Sequence, residues 1–266
     1  MGLTPLSPAV APSFQTVRWI ATDMDGTLTT QGKFTPDLVR HLDLLAAWGW
    51  QVLIVTGRSA GWVSGVVQYL PVAGAIAENG GIFIPGAHNT EPAAAIALVP
   101  VPDWQTHRQQ LAALFQDLQT DFPHLRTAND NPFRLTDWTF DVAGLTPNDL
   151  DRLSQRCQAQ GWSITYSTVQ VHLKRPDQSK AAGLSQVLTT LAPGWTADQV
   201  LTVGDSPNDE SLFDPAHFPQ SVGVANVQHY RDRLTHLPTY VTAAPEGTGF
   251  CQLAEFLMTH CDRPRS

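Results

Sequence analysis

Two aspartates one residue apart, Asp23 and Asp25, close the β-branched and aromatic run of RWIATDMDGTLTT. Carboxylates held that close repel, so either a cation lies among them or one keeps its proton. Both outcomes mean chemistry at the end of a buried strand. Three further apolar runs end the same way. QVLIV ends in Thr56-Gly57-Arg58, GAIA in Glu78-Asn79, and QVLTVG in Asp205-Ser206 with Asn208 and Asp209 close behind. In an open α/β sheet, ligands bind outside the carboxyl ends of the strands. One strand-end acid is more often a cap or turn residue; four polar strand ends on one edge are a site. Asp23, Asp205 and, directly or through water, Asp209 can gather on one hard cation. Mg2+ suits such a set, because it takes oxygen ligands, keeps waters and uses one or two carboxylates beside a substrate phosphate.

The elements that must position these groups follow a regular rhythm. VRWIATD reads as a strand. TPDLVRHLDLLAAWG reads as a helix with Thr35 as N-cap, Pro36 in the first turn and Gly49 as stop. QVLIVTG, a helix capped by Ser59 and the strand VAGAIAENGG come next, and this alternation predicts a parallel sheet with helices on both faces. GIFIPGAHNTEPAAAIALVPV reads as a hairpin with a long turn. Between Pro102 and Pro176 the pattern becomes two helices and alternating, half-solvated strands, the mark of antiparallel pairing. The α/β rhythm returns at Ser179. The fold class expected is α/β: a doubly wound, Rossmann-like parallel core formed by residues 16–101 and 177–266, interrupted by a smaller α+β cap at 102–176. Residues 1–15, rich in Pro, Ser and Ala, read as a flexible tail.

Composition bounds the function. The chain has 266 residues, 42% of them hydrophobic, and a formal net charge of −8. That allows a sizeable core and argues against general nucleic-acid binding, which needs clustered Lys and Arg. Cys157, Cys251 and Cys261 show no metal-finger or CxxC spacing. No signal-peptide pattern or membrane-length apolar run is present, so a cytoplasmic protein with no membrane partner is expected.

DMDGTLT, VTGR, the lysine of DQSKAAGL and GDSPND together resemble, in order, the four motifs of the haloacid dehalogenase superfamily of phosphatases. AENGG followed by an insertion resembles the Cof-type and sucrose-phosphatase-like branch, whose cap lies between motifs two and three. The resemblance implies an Mg2+-dependent phosphomonoester hydrolase acting on a small phosphorylated metabolite, a sugar phosphate or sugar-acid phosphate. It casts Asp23 as nucleophile, forming an aspartyl-phosphate, and Asp25 as general acid and then base, its carbonyl also a metal ligand. Lys180 would supply positive charge. Thr56 and Gly57 would hold phosphate oxygens, and Asp205 and Asp209 would serve the metal. Motif four has Ser206-Pro207 where many relatives have Gly after the Asp, and no catalytic group is lost. A phosphomutase of the phosphomannomutase type shares the architecture, and a phosphate-binding module without catalysis is the rival of another class.

Lys180 stands at a helix start, where a cation opposes the helix dipole, which favours a functional role. Arg58 and Asn79 are candidate substrate contacts. In the cap, Arg134, His172 and Lys174 are the candidates. Trp104, Trp138 and Trp162 invite a sugar-stacking role, but packing of the cap sheet on its helices accounts for them better.

Overall fold

The computed structural model describes residues 3–86, 94–167 and 169–264. In chain order the strands and helices are β1 (Thr4–Pro5), β2 (Trp19–Thr22), α1 (Pro36–Trp48), β3 (Gln51–Val55), α2 (Ala60–Val66), β4 (Gly74–Ala77), β5 (Ile82–Pro85), β6 (Ile96–Ala97), α3 (Trp104–Asp121) and β7 (Trp138–Asp141). There follow α4 (Pro147–Ala159), β8 (Ser163–Tyr166), β9 (Gln170–Lys174), α5 (Lys180–Leu191), β10 (Val200–Gly204), α6 (Glu210–Phe213), β11 (Gln220–Gly223), β12 (Tyr240–Val241) and α7 (Glu246–His260). Helix α1 begins and ends where its cap residues require. Thr35 accepts from Leu38 N–H, Pro36 opens the first turn, and Gly49 leaves in the left-handed region at φ +104°.

The large sheet runs β1-β12-β11-β10-β2-β3-β4-β5-β6 and is parallel from β1 to β4. Strands β5 and β6 add an antiparallel edge. From β2 the chain winds outward through β3 and β4, then returns to the other side of β2 and winds through β10, β11 and β12. The switch point lies between β2 and β10, where such sheets open a crevice. Pairing Thr22 with Val203 and with Ile54 aligns the ends of β2, β10 and β3 at one edge.

Side chains alternate across this sheet, so its two faces carry separate cores. Ile20, Val52 and Ile54 pack with Leu38, Leu42 and Leu257 under α1 and α7. Ala21, Leu53 and Val55 pack with Leu184, Leu188 and Phe213 under α5 and α6. Strands buried on both faces explain the near-continuous apolar runs of the sequence.

The cap is a separate antiparallel sheet, β7-β9-β8, with its own core of Leu111, Phe115, Leu118, Phe140, Leu153, Val171 and Leu173 beneath α3 and α4. Trp138 and Trp162 pack against that core, and Trp138 lies 5.8 Å from Phe115. Trp104 packs on the main core instead. The other face of the cap sheet is polar, with Thr139, His172 and Thr165 side by side in register.

One expectation is corrected. Residues 4–14, read as a flexible tail, extend the sheet: β1 pairs in parallel with β12, and Phe14 packs 5.1 Å from Tyr240 and 5.6 Å from Phe256. The Pro-rich composition concealed a buried anchor, since Phe14 is 1% exposed. The long turn expected in the β5–β6 hairpin falls at 87–93, outside the described residues. Cys157, Cys251 and Cys261 are free and buried.

Candidate active site

Strand β2 delivers Asp23 to the switch point. Its N–H donates to Val203 O at 2.9 Å, and the chain turns at once, Leu28 N–H donating to Met24 O. The turn needs Gly26, which has φ +83° and leaves a Cβ only 2.7 Å from Asp205 Oδ2. Asp23, Asp205 and Asp209 each place an oxygen within 4.8 Å of the others, and all three are buried.

Lys180 Nζ joins two of them, donating to Asp209 Oδ1 at 2.6 Å and to Asp23 Oδ1. Burial works against the ammonium, but Asp209 and Asp23 outweigh it and hold the Lys180 pKa above its ordinary value. One cation does not balance three carboxylates. Burial first, then Asp209, push the Asp23 pKa up to about 7 despite Lys180. Burial, then Asp23 and Asp209, drive Asp205 well above the carboxylate range. A crowded, all-oxygen donor set with unbalanced charge fits a hard divalent cation.

The hydrogen bonds sort these acids. Asp209 is fully committed: Oδ1 accepts from Lys180, and Oδ2 accepts from the Asp205 and Ser206 N–H groups at 2.9 and 3.1 Å. That places it behind the site, orienting the loop. Asp205 is oriented by Thr27 Oγ1 at 2.9 Å and Asn226 Nδ2 at 2.8 Å. Asn226 also donates to Gly26 O at 3.0 Å, so it ties β11, the motif turn and Asp205 together. The sequence reading missed Asn226, although GVAN ends its strand on the same edge. Asn208 donates to Asn79 Oδ1 at 3.3 Å and accepts from Ser206.

Thr56 and Gly57 continue β3 into the cavity, with Arg58 beside them. Arg58 binds Asp25 bidentately, at 2.8 and 2.6 Å. Asp23, Asp25, Thr56, Gly57, Arg58 and Asn208 line the core side of a cavity of about 20 Å³; Ser167, Val169, Gln170 and His172 close it from the cap. This is room for about one water, so the cap must shift to admit a substrate.

Not every candidate reaches the cavity. His172 does: Nδ1 pairs with Asp137 Oδ2 at 2.8 Å, and the ring edge lies against Gly57. Burial lowers the His172 pKa, with Asp137 opposing, so the neutral ring carries its proton on Nδ1 and offers Nε2 as acceptor. Arg134 is a strut, donating to Asp137, Asp130, Gln170 and the Gly57 carbonyl. Lys174 donates to the Gln178 carbonyl, and burial pushes its pKa down to about 8. Glu78 turns from the cavity and clamps cap to core. It accepts from Ala60 N–H, from Leu135 N–H, and from the N–H and hydroxyl of Thr136.

A second cluster, Asp37, His41 and Cys251, joins α1 to α7. Arg40 already pairs with Asp37 there at 2.9 Å, which supplies a cation. No described helix is long and apolar enough to cross a membrane.

Fold and site define a capped α/β hydrolase, with an acid-rich centre at the switch point and a polar sheet facing it. The haloacid dehalogenase-like hydrolase family matches residues 20–98. The chain is 28% identical over 232 residues to the phosphoglycolate phosphatase of Halobacterium salinarum, covering 87% of this chain and 93% of that one. It is 25% identical over 219 residues to the phosphoglycolate phosphatase of Aeropyrum pernix, covering 81% and 84%. The sucrose-phosphatase of Synechocystis, solved with sucrose and phosphate, superposes with a TM-score of 0.65 at 16% identity, covering 91% of this chain and 98% of that one. These matches support a haloacid dehalogenase-superfamily hydrolase with a cap domain, and the placement of the cap agrees with the Cof-type and sucrose-phosphatase-like branch.

Proposed function

We propose that the chain is an Mg2+-dependent phosphomonoesterase whose substrate is a small phosphorylated acid, 2-phosphoglycolate being the first candidate. The observation that carries the reaction type is the convergence of Asp23, Lys180, Asp205 and Asp209 with Asp25 two residues from the nucleophile. The substrate class is supported by relatives named phosphoglycolate phosphatases, matched over most of their length. The sugar phosphates expected from sequence are the competing substrate class.

Asp23 Oδ2 is the free oxygen, since Oδ1 faces Lys180, and it attacks phosphorus to form an aspartyl-phosphate. Lys180 screens the approach of one anion to another. Thr56 and Gly57 line the cavity, and the Thr56 hydroxyl and the Gly57 N–H would donate to phosphoryl oxygens. Asp25 protonates the leaving oxygen and then takes a proton from the attacking water. Mg2+, held by Asp23, Asp205 and the Asp25 carbonyl, would neutralise charge on the phosphoryl group. Phosphate release from a panel of phosphorylated acids and sugars, with Mg2+ and with chelator, tests the reading. Turnover of 2-phosphoglycolate no better than of hexose phosphates would sink the substrate; full activity in chelator would sink the metal.

A further inference from the structure

Asp25 gives both carboxylate oxygens to Arg58, Oδ2 to Nε at 2.8 Å and Oδ1 to Nη2 at 2.6 Å. Neither oxygen is left to face a leaving group. The two side chains line the same cavity, and each is partly open. The Arg58 guanidinium also lies 5.3 Å from the centre of the Trp62 ring, a surface on which a planar cation can turn while keeping contact. Beside Gly57, Asn79 Nδ2 is buried without a hydrogen-bond partner. It sits 3.2 Å from where a Gly57 Cβ would stand, a point the His172 ring also approaches. Asn79 holds this pose at φ +53°. An unpaired buried donor is destabilising, and a bound acceptor removes that cost.

A guanidinium fork accepts any carboxylate of suitable reach. We propose that Arg58 exchanges carboxylates. Without substrate it holds Asp25. When the phosphate ester of a short hydroxy acid binds, Arg58 passes to the carboxylate of the leaving group, Asn79 supplies a further donor, and Asp25, released from the guanidinium as a carboxylate, takes up a proton from water and gives it to the leaving oxygen. The inference rests on the phosphatase reading above and deepens it, because the acid end of the substrate becomes the trigger. Discrimination then appears in kcat as well as in binding, since an ester without the carboxylate leaves Asp25 tied.

Ethyl phosphate keeps the skeleton of 2-phosphoglycolate with a methyl group in place of the carboxylate, and added acetate can supply that carboxylate separately. In the wild-type protein with Mg2+, acetate should raise kcat for ethyl phosphate about tenfold, part of the roughly 10²–10⁴-fold that a general acid contributes. In Arg58→Ala, acetate should have no effect, and ethyl phosphate should turn over faster than in the wild type without acetate. Glycolate binding, followed by calorimetry, gives a readout independent of turnover. Asp25→Asn removes the competing carboxylate and should bind glycolate about tenfold more tightly than the wild type, while Arg58→Ala should lose binding. Equal loss of turnover of both esters in Arg58→Ala would overturn the proposal by assigning Arg58 to the phosphate. Glycolate binding to Asp25→Asn no tighter than to the wild type, or to no form at all, would also overturn it. If ethyl phosphate is hydrolysed and 2-phosphoglycolate is not, the substrate reading fails while the acetate and calorimetry results still decide the exchange. If neither ester is hydrolysed, calorimetry alone decides it.

Discussion

Lys180 Nζ lies 2.6 Å from Asp209 Oδ1, both side chains sealed from solvent, and the same ammonium reaches Asp23. A helix-start lysine is thereby turned into the fixed countercharge of a strand-end acid cluster.

Replacing it exposes the cluster's imbalance. Lys180→Met should lose phosphate release by at least about a hundredfold, the scale of losing a positioned charge at a developing anion. Without metal it should also lose roughly 3–5 kcal/mol of stability, as buried charges do when a partner is removed. Mg2+ should return part of that. Melting curves with and without Mg2+ measure it; an identical loss in both would show that the ion and the lysine do not share a site.

Asp23→Asn should fold and release no phosphate, because an amide is no nucleophile at phosphorus. Near-wild-type turnover would refute the covalent route through Asp23.

The raised pKa of Asp23 sets a pH dependence with a definite sign. Folding lifts it from 3.8 to about 7, so the metal-free folded state holds this proton more tightly than the unfolded chain. Its contribution to stability is present below about pH 4 and is lost as pH rises through about 7. Mg2+ must displace the same proton. Its affinity should therefore climb about tenfold or more per pH unit below 7 and level off above. Calorimetric Mg2+ titrations at several pH values check this, and a flat affinity would mean that Asp23 is not a ligand.

Glu78→Gln keeps the shape of the clamp but turns an NH2 toward backbone donors. It should weaken the junction by about 1–3 kcal/mol, and the loss should appear as faster hydrogen exchange at Leu135 and Thr136, whose N–H groups Glu78 holds. Unchanged exchange there would argue that the cap is held by Arg134 instead.

His172→Ala should lower kcat/KM for the best natural ester while leaving acetyl phosphate nearly untouched, since the ring comes from the cap side of the cavity and the groups assigned to the phosphate come from the core. An unchanged ranking of substrates would remove His172 from specificity.

Much of this was legible in the chain because it is local. Thr35, Pro36 and Gly49 bound α1 through contacts within a few residues, and Gly26 shapes the Asp23–Asp25 turn through its own backbone. Period-two and near-continuous apolar runs mark which strands are half-covered and which are buried, as DWTFD and VLIV do. Strand ends carry the acids, so the Asp23–Asp205 edge follows once the runs are taken as one parallel sheet. Pairings between residues far apart in sequence were not legible. Arg58 with Asp25, Glu78 with Thr136 and Asn226 with Asp205 span 33, 58 and 21 residues, and no periodicity encodes which distant polar group closes on which. The N-terminal segment shows the same limit: nothing in TPLSPAVAPSF announces that β12 leaves an open edge for Thr4–Pro5 and a pocket for Phe14. Tertiary structure decided these, because a buried polar group must find its partner wherever the packed chain brings one, and an exposed sheet edge takes whichever segment can reach it.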